Sequence, residues 1–576
     1  MSETPKSIAI NVDTPKSDVE MPLEVNDSTP PTPTPARTPK KRGRRPKDGG
    51  SGKKPAYKYV KKDRSMDWNH ATYVPPSDKP IYKLKCEEPR PCEYSNIKPK
   101  FQQYQIINES IAKDYLPNID VISQISFDHH PSETPLMSRP LTAHILPNRR
   151  GYLLNSGGSV WGLDWCPEVK AEENQFLAIA GYKGTTDEHH IIGEREINTT
   201  GYIEIWNLGV ISNDIINESN FRPWVDICFL HSNGCVWDLK WCPYGAYDSS
   251  EEWSGEDDIP KIGIIAACFG DGTMKIFSVP NPAILRKKLE SEGHSYPSNK
   301  TIFLQLDDAL FEAHLPDTSL WNLSWGGHKW ISTGCTNGNI AVWDAENAIS
   351  KKNTNFPLLS PNDYMAHYLP AHDSCVRRVS WRNTEDTNYI VSCGHDGRLL
   401  VCDTRDPYTG MLTHRIRAFL MAASWVKFES SYSIVFTDAE NGVRLTEKDD
   451  IKKSVGIITH KGCIWYVDCS SLHPFVASGA SDGSVRSTNL RHLRARNQMT
   501  LYTLKKDSVN GQFVYDDEIA FEPLVAHNHT PDNLFTMFFP PEVAIQRVSW
   551  CPNPQSPAWI ASGGTAGLVR VEAASR

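Results

Sequence analysis

Between residues 160 and 550 one six-residue pattern recurs seven times, which limits the chain to architectures built from repeated units. It reads VWGLDW at Val160–Trp165, VWDLKW at Val236–Trp241, LWNLSW at Leu320–Trp325 and VRRVSW at Val376–Trp381. ASWVKF at Ala423–Phe428, IWYVDC at Ile464–Cys469 and IQRVSW at Ile545–Trp550 complete the series. The alternation puts every second side chain on one face, as a strand in a packed sheet requires. A second apolar strand, a small-residue turn and a third strand follow each one. Asp-Gly or Asn-Gly closes the turn at Asp271-Gly272, Asn337-Gly338, Asp396-Gly397, Asn441-Gly442 and Asp482-Gly483. That dipeptide marks a tight hairpin, because the turn needs positive φ. Insertions such as the acidic, polar stretch Tyr244–Asp258 lengthen some intervals and are expected on the surface.

On these residues the chain resembles the WD-repeat family. Trp206 and the pair Trp343-Asp344 stand at that family's third-strand end. Its structural hydrogen-bond set is a His before the first strand, a Ser or Thr four residues before the turn Asp, and that Asp. It corresponds here to His372, Ser392 and Asp396 in the fourth unit and to His460, Ser478 and Asp482 in the sixth. A softer version is His314, Thr333, Asn337 and Trp343 in the third. The fifth and seventh units depart most, and Phe277, Cys402 and Thr488 replace the third-strand Trp elsewhere. The resemblance implies an all-β fold: a seven-bladed WD-repeat β-propeller with a long disordered basic N-terminal extension. Three regions are expected: a Thr-Pro-rich and basic arm over 1–62, an extended Pro- and aromatic-rich segment over 63–135 packing on the propeller or a partner, and the propeller over 136–576. The last unit ends after its third strand, so the closing strand is expected from Leu141–Leu154.

The arm carries most of the chemistry. Lys40 to Lys62 hold eleven cations against one acid, Asp48, so this stretch is +10 and the rest of a chain of net charge −8 is −18. A basic arm on an acidic body points to a polyanion contact made by the arm alone. Pro39 to Lys47, with Lys40, Lys41, Arg42, Gly43, Arg44, Arg45, Pro46 and Lys47, resembles an AT-hook. Gly43 would let the backbone sit deep in the minor groove of A·T DNA, with Arg42 and Arg44 along its negative floor. Arg45 interrupts the Arg-Gly-Arg-Pro core of that motif, and a nuclear import signal is the alternative use of the same residues. Six Thr-Pro steps, at Thr4, Thr14, Thr29, Thr32, Thr34 and Thr38, keep the preceding tail extended and would accept phosphate beside the basic run.

The remaining chemistry is structural. Ser, His and Asp recur at one place in successive units, beside a hairpin they would brace, whereas a catalytic triad is needed once. No enzyme activity, cofactor or small-molecule substrate is expected. The tryptophan pairs Trp161/Trp165, Trp237/Trp241 and Trp321/Trp325 share a strand face and read as core packing, not as a base-stacking platform. Cys86 and Cys92 lack the further ligands a structural zinc needs, and no metal is expected. The 14 Cys read as reduced thiols in strand contexts. No stretch approaches the ~20 apolar residues of a membrane-spanning helix, and the nucleus is the expected compartment.

The wording GSVWGLDWCP at Gly158–Pro167, GCVWDLKWCP at Gly234–Pro243, Trp550–Pro552 and His144–Gly151 is similar to the WD-repeat subunits of general transcription factor IIIC. That resemblance implies a non-enzymatic, DNA-associated scaffold of the RNA polymerase III machinery. It would contribute to promoter binding at transfer-RNA genes and partner the other subunits, a second propeller subunit above all. The alternative is a chromatin-associated propeller that reads histones or scaffolds a modifying complex, and it would call for an aromatic cage or acidic ring at the propeller face.

Overall fold

A computed structural model describes residues 94–574, except 129–133, 148, 168–173, 185–194, 212–220, 244, 249–257, 295, 298, 353–359, 383–387, 429–431, 496 and 525–538. Every described residue belongs to one compact unit.

The repeated segments become the innermost strands of seven sheets, each built on antiparallel hairpins. Each packs against the inner strand of the next sheet, and Ile545–Trp550 packs against Val160–Trp165, which closes the ring of an all-β propeller. Hairpins connect the strands within a sheet, as in Trp330–Cys335 and Asn339–Asp344. Gly272, Gly338, Gly397 and Gly483 at the turns take φ of 72–92°, where a Cβ would be strained. Apolar side chains fill the space between neighbouring sheets. Ile340, Val342, Val376, Val379 and Trp381 do so between the third and fourth, each contributing about 1.5–3 kcal/mol by burial.

Six of the inner strands share a β-bulge at their second residue: Trp161, Trp237, Trp321, Arg377, Trp465 and Gln546 are each skipped by the ladder. The extra residue is left unpaired and its side chain is re-aimed. The expectation of a seven-bladed propeller is corrected to six blades of this shared form, because the fifth sheet lacks the bulge. Its inner strand is Ala423–Trp425, not Ala423–Phe428. Trp425 N–H donates to Ser380 Oγ at 3.4 Å, repeating the bond from Trp381 N–H to Ser324 Oγ at 2.9 Å, so Trp425 holds the last position of the pattern and not the third. Upstream, Met421 and Ala422 give their N–H groups to Thr437 Oγ1. That hydroxyl takes donors a bulged ladder would otherwise use, and the strand starts late.

The closing strand lies where the sequence places it. Gly151–Asn155 pairs antiparallel with Leu568–Ala573, and Thr142–Ile145 adds a fifth strand outside it. Upstream of these strands the chain lies against several sheets. Tyr94 Oη donates to His328 O at 2.5 Å, and Phe101 is buried. A short helix, Glu109–Ala112, buries Ala112. Ser123–Phe127 then joins the sixth sheet beside Phe513–Asp516.

Candidate functional site

The fourth unit brings His372, Ser392 and Asp396 together. His372 Nδ1 lies 2.9 Å from Asp396 Oδ1 and Nε2 lies 2.9 Å from Ser392 Oγ. The carboxylate fixes the proton on Nδ1 and leaves Nε2 to accept from the serine. Asp396 also receives the N–H groups of Asp373 and Arg398, so one side chain ties the turn to the chain that enters the inner strand. In the sixth unit His460 Nε2 meets Ser478 Oγ at 2.8 Å, while Nδ1 meets Ser484 Oγ at 2.9 Å and Asp482 Oδ1 at 3.4 Å. Ser484 donates to Asp482 at 2.7 Å and thus relays part of the contact. Burial pushes both imidazoles below the ordinary histidine value. Burial opposes charge on the two carboxylates, but the His partners and backbone N–H donors hold both below the usual range. The sets are neutral-imidazole braces that tie a turn to the chain entering an inner strand.

The third unit departs from the expected set. Trp343 Nε1 donates to Thr333 Oγ1 at 3.0 Å, but His314 reaches neither Thr333 nor Asn337 and sits 3.4 Å from Arg195 Nη1. Thr318 takes its place: its Oγ1 accepts from Asn337 N–H at 3.2 Å. A hydroxyl nearer the strand satisfies the turn, and the histidine four residues upstream is left on the rim.

The tryptophan pairs are buried, and the bulge sends their members to different places. Trp165 and Trp241 lie between sheets, and their Nε1 atoms donate to Ser549 O at 3.0 Å and Asp164 O at 3.2 Å in the preceding inner strand. Trp325 repeats the bond to Lys240 O at 3.0 Å. Trp161, Trp237, Trp321 and Trp465 instead ring the inner channel, with centroids 5.7–6.0 Å apart between successive members. Three arginines converge on this ring. Arg378 pairs with Asp238 and donates to Tyr466 Oη. Arg547 donates to Gln546 O and Trp237 O at 3.0 Å. The Arg377 guanidinium lies 4.9 Å from the Trp321 ring, 5.6 Å from Trp161 and 5.8 Å from Trp465. The channel therefore holds an aromatic cage, and its cation is the chain's own Arg377. Below it, Lys240 pairs with Asp164 at 2.8 Å and Lys427 with Asp468 at 3.1 Å. Nothing in the hexapeptide pattern signals this convergence, because the partners are as far apart in sequence as Asp238 and Arg378.

The outer surface carries one long bare edge. Asp406–Arg415, the outermost strand of the fourth sheet, exposes Tyr408 at 90 %, with Met411 and Leu412 at 44 % each. The arm residues Lys40, Lys41, Arg42, Gly43, Arg44, Arg45, Pro46 and Lys47, the Thr-Pro steps, Cys86 and Cys92 lie outside the described residues. The described Cys are free thiols, all buried but Cys463.

The closed ring of sheets and the two His–Ser–Asp braces make the chain similar to WD-repeat proteins. The family model "WD domain, G-beta repeat" matches residues 364–403 and 452–487, the two stretches that hold the complete braces. Beyond the family, the chain is similar to subunits of transcription factor IIIC. It is 24 % identical over 437 residues, 74 % of this chain and 65 % of the relative, to "Transcription factor tau subunit sfc6" of Schizosaccharomyces pombe. It is 25 % identical over 338 residues to human "General transcription factor 3C polypeptide 2", covering 55 % of this chain and 35 % of that protein. For "Transcription factor tau 91 kDa subunit" of Saccharomyces cerevisiae the figures are 22 % over 353 residues, 59 % and 45 %. The chain thus spans between about a third and two thirds of the length of these relatives.

Proposed function

We propose that the chain is a non-enzymatic scaffold subunit of the RNA polymerase III factor TFIIIC, acting in the nucleus at transfer-RNA genes. The observation that carries this reading is the similarity to the tau subunit sfc6, which runs through 74 % of the chain. In this reading the propeller supplies partner surface: the bare edge Asp406–Arg415 receives a second propeller subunit, since exposed apolar side chains on an unpaired strand invite protein contact. The arm from Lys40 to Lys47 adds DNA affinity that is largely independent of sequence. The histone-reading alternative is not favoured, because Arg377 already occupies the aromatic cage it would use.

The test is purification of the intact protein from nuclei with identification of stoichiometric partners by mass spectrometry. A second propeller protein and a very large subunit, with other TFIIIC components, support the reading; histone-modifying or ubiquitin-ligase subunits in their place overturn it. The DNA element is tested in the same preparation. Neutralising about five phosphates gives a log–log salt slope near about −4.5. Alanine at Arg42, Arg44 and Arg45 flattens that slope without altering assembly, and an unchanged slope removes the arm as a DNA contact.

A further inference from the structure

Among the described residues the Arg377 guanidinium is the cation of the channel for which no hydrogen bond or ion pair is made. The side chain is 8 % exposed, and its Nε is buried and unpaired. Buried cations elsewhere in the ring are engaged: Arg378 by Asp238, Lys240 by Asp164, and Arg547 by two carbonyls. The cage faces of Trp161, Trp321 and Trp465 offset part of the lost hydration by cation–π attraction. They accept none of its N–H groups, and a buried donor without an acceptor is costly.

The atoms around it have one sign. Nε1 of Trp161, Nε1 of Trp465 and Nε of Arg547 are also buried donors without partners. The one opposing acceptor is Asp238 Oδ1, whose companion Oδ2 already takes Arg378 and the Leu323 N–H. Neighbouring rings run from this group to the surface. The His395 ring lies 6.4 Å from Trp321 and 4.7 Å from Phe419, which is 61 % exposed.

We propose that Arg377 is the receptor for a single carboxylate, an Asp or Glu side chain from an acidic segment of a partner protein. The segment lies across Phe419 and His395 and inserts that side chain among the tryptophans. A carboxylate fits better than a phosphate dianion. Only one guanidinium is free, and its planar fork matches one carboxylate in a bidentate pair. A dianion would call for a second uncommitted cation, and Arg378 and Arg547 are committed. The site stands on the channel alone, so its failure would leave the promoter-complex reading untouched.

The experiment measures fluorescence anisotropy of a short labelled peptide of alternating Glu and Leu against the full chain. Peptides with Gln or phosphoserine in place of Glu are comparators. The same titration on the Arg42, Arg44, Arg45→Ala chain subtracts any contact with the basic arm. Arg377→Gln is expected to weaken the Glu peptide by about tenfold or more, the scale of one lost charge-assisted pair. The Gln peptide is expected to bind neither chain. Phe419→Ser, at an exposed position that leaves the ring intact, is expected to weaken binding severalfold. That variant decides the matter if Arg377→Gln does not fold. Equal affinity of wild type and Arg377→Gln, equal binding of the Gln and Glu peptides, tighter binding of the phosphoserine peptide, or no effect of Phe419→Ser each overturns the proposal.

Discussion

The two sides of the ring are finished differently. The sixth, seventh and first sheets carry eight, five and five strands, whereas the third, fourth and fifth carry four each. Much of the difference comes from chain that precedes the repeats: Ser123–Phe127 and Leu136–Ser138 widen the sixth sheet, and Thr142–Ile145 and Gly151–Asn155 complete the seventh. A buried ionic network joins those two sheets. Arg570, fully buried, bonds Asp517 and Glu572 and lies over the rings of Tyr502 and Tyr515 at 4.7 and 5.3 Å. Arg149 adds bonds to Glu572, Leu501 O and Asp517 O. Across the ring, the edge strand Asp406–Arg415 has no comparable cover among the described residues. A propeller closed by non-covalent pairing must guard its seam, because an open seam is a sticky edge as well as a lost core. The opposite edges, which do not hold the ring shut, are free to be surface.

The largest effect should come from removing the seam strand. Deletion of residues 136–156 takes away Tyr152, Leu153 and Leu154, all buried, and leaves Leu568–Ala573 unpaired. Losing about 1.5–3 kcal/mol for each such side chain, with the ladder, is comparable to a domain's whole stability of about 5–15 kcal/mol. The deleted chain should aggregate and show no cooperative melt; a monomer with an unchanged melting temperature would refute the seam as the guarded side. A smaller loss is expected from Arg570→Leu, which removes Asp517's buried cation and one of the two cations that hold Glu572. Breaking a buried pair from one side costs about 3–5 kcal/mol, read as a lower urea midpoint at constant slope. Adding Asp517→Leu should restore part of that loss, since Glu572 keeps Arg149. A double variant no better than the single one would show that the network works through shape and not charge.

How much of this was legible depended on whether a feature repeats. Six of the seven inner strands fall on the hexapeptides, and the seam strand followed from ring closure. The fifth strand was misplaced by three residues because VKF at Val426–Phe428 imitates the end of the pattern. His314 was misassigned because spacing cannot tell a histidine from a nearer hydroxyl, Thr318, that reaches the turn first. The bulge was not visible either. Alternation placed Trp161 with Trp165 on one face, yet they lie in separate clusters, and so do Trp237 and Trp241. The arginine group needed both the bulge and the closed ring, since Arg377, Arg378 and Arg547 meet Asp238 and the tryptophans only across the channel.

The bare edge gives the smallest effect on stability and the finest test of the contrast. Replacing Tyr408 and Met411 by Ser and Thr removes apolar surface that is nearly all in water at Tyr408, 90 % exposed, and almost half so at Met411, 44 % exposed. Substitutions of this kind usually shift stability by no more than about 0.5 kcal/mol, so the melt should match wild type. Recovery of the second propeller subunit from nuclei should nevertheless fall, because the contact would lose its apolar anchors and only the polar backbone edge would remain. A drop in stability with recovery intact would place this edge with the seam, as part of what holds the ring. If neither quantity moves, the two sides differ only in how they are closed, and the partner surface must be sought on the loops at the ends of the channel.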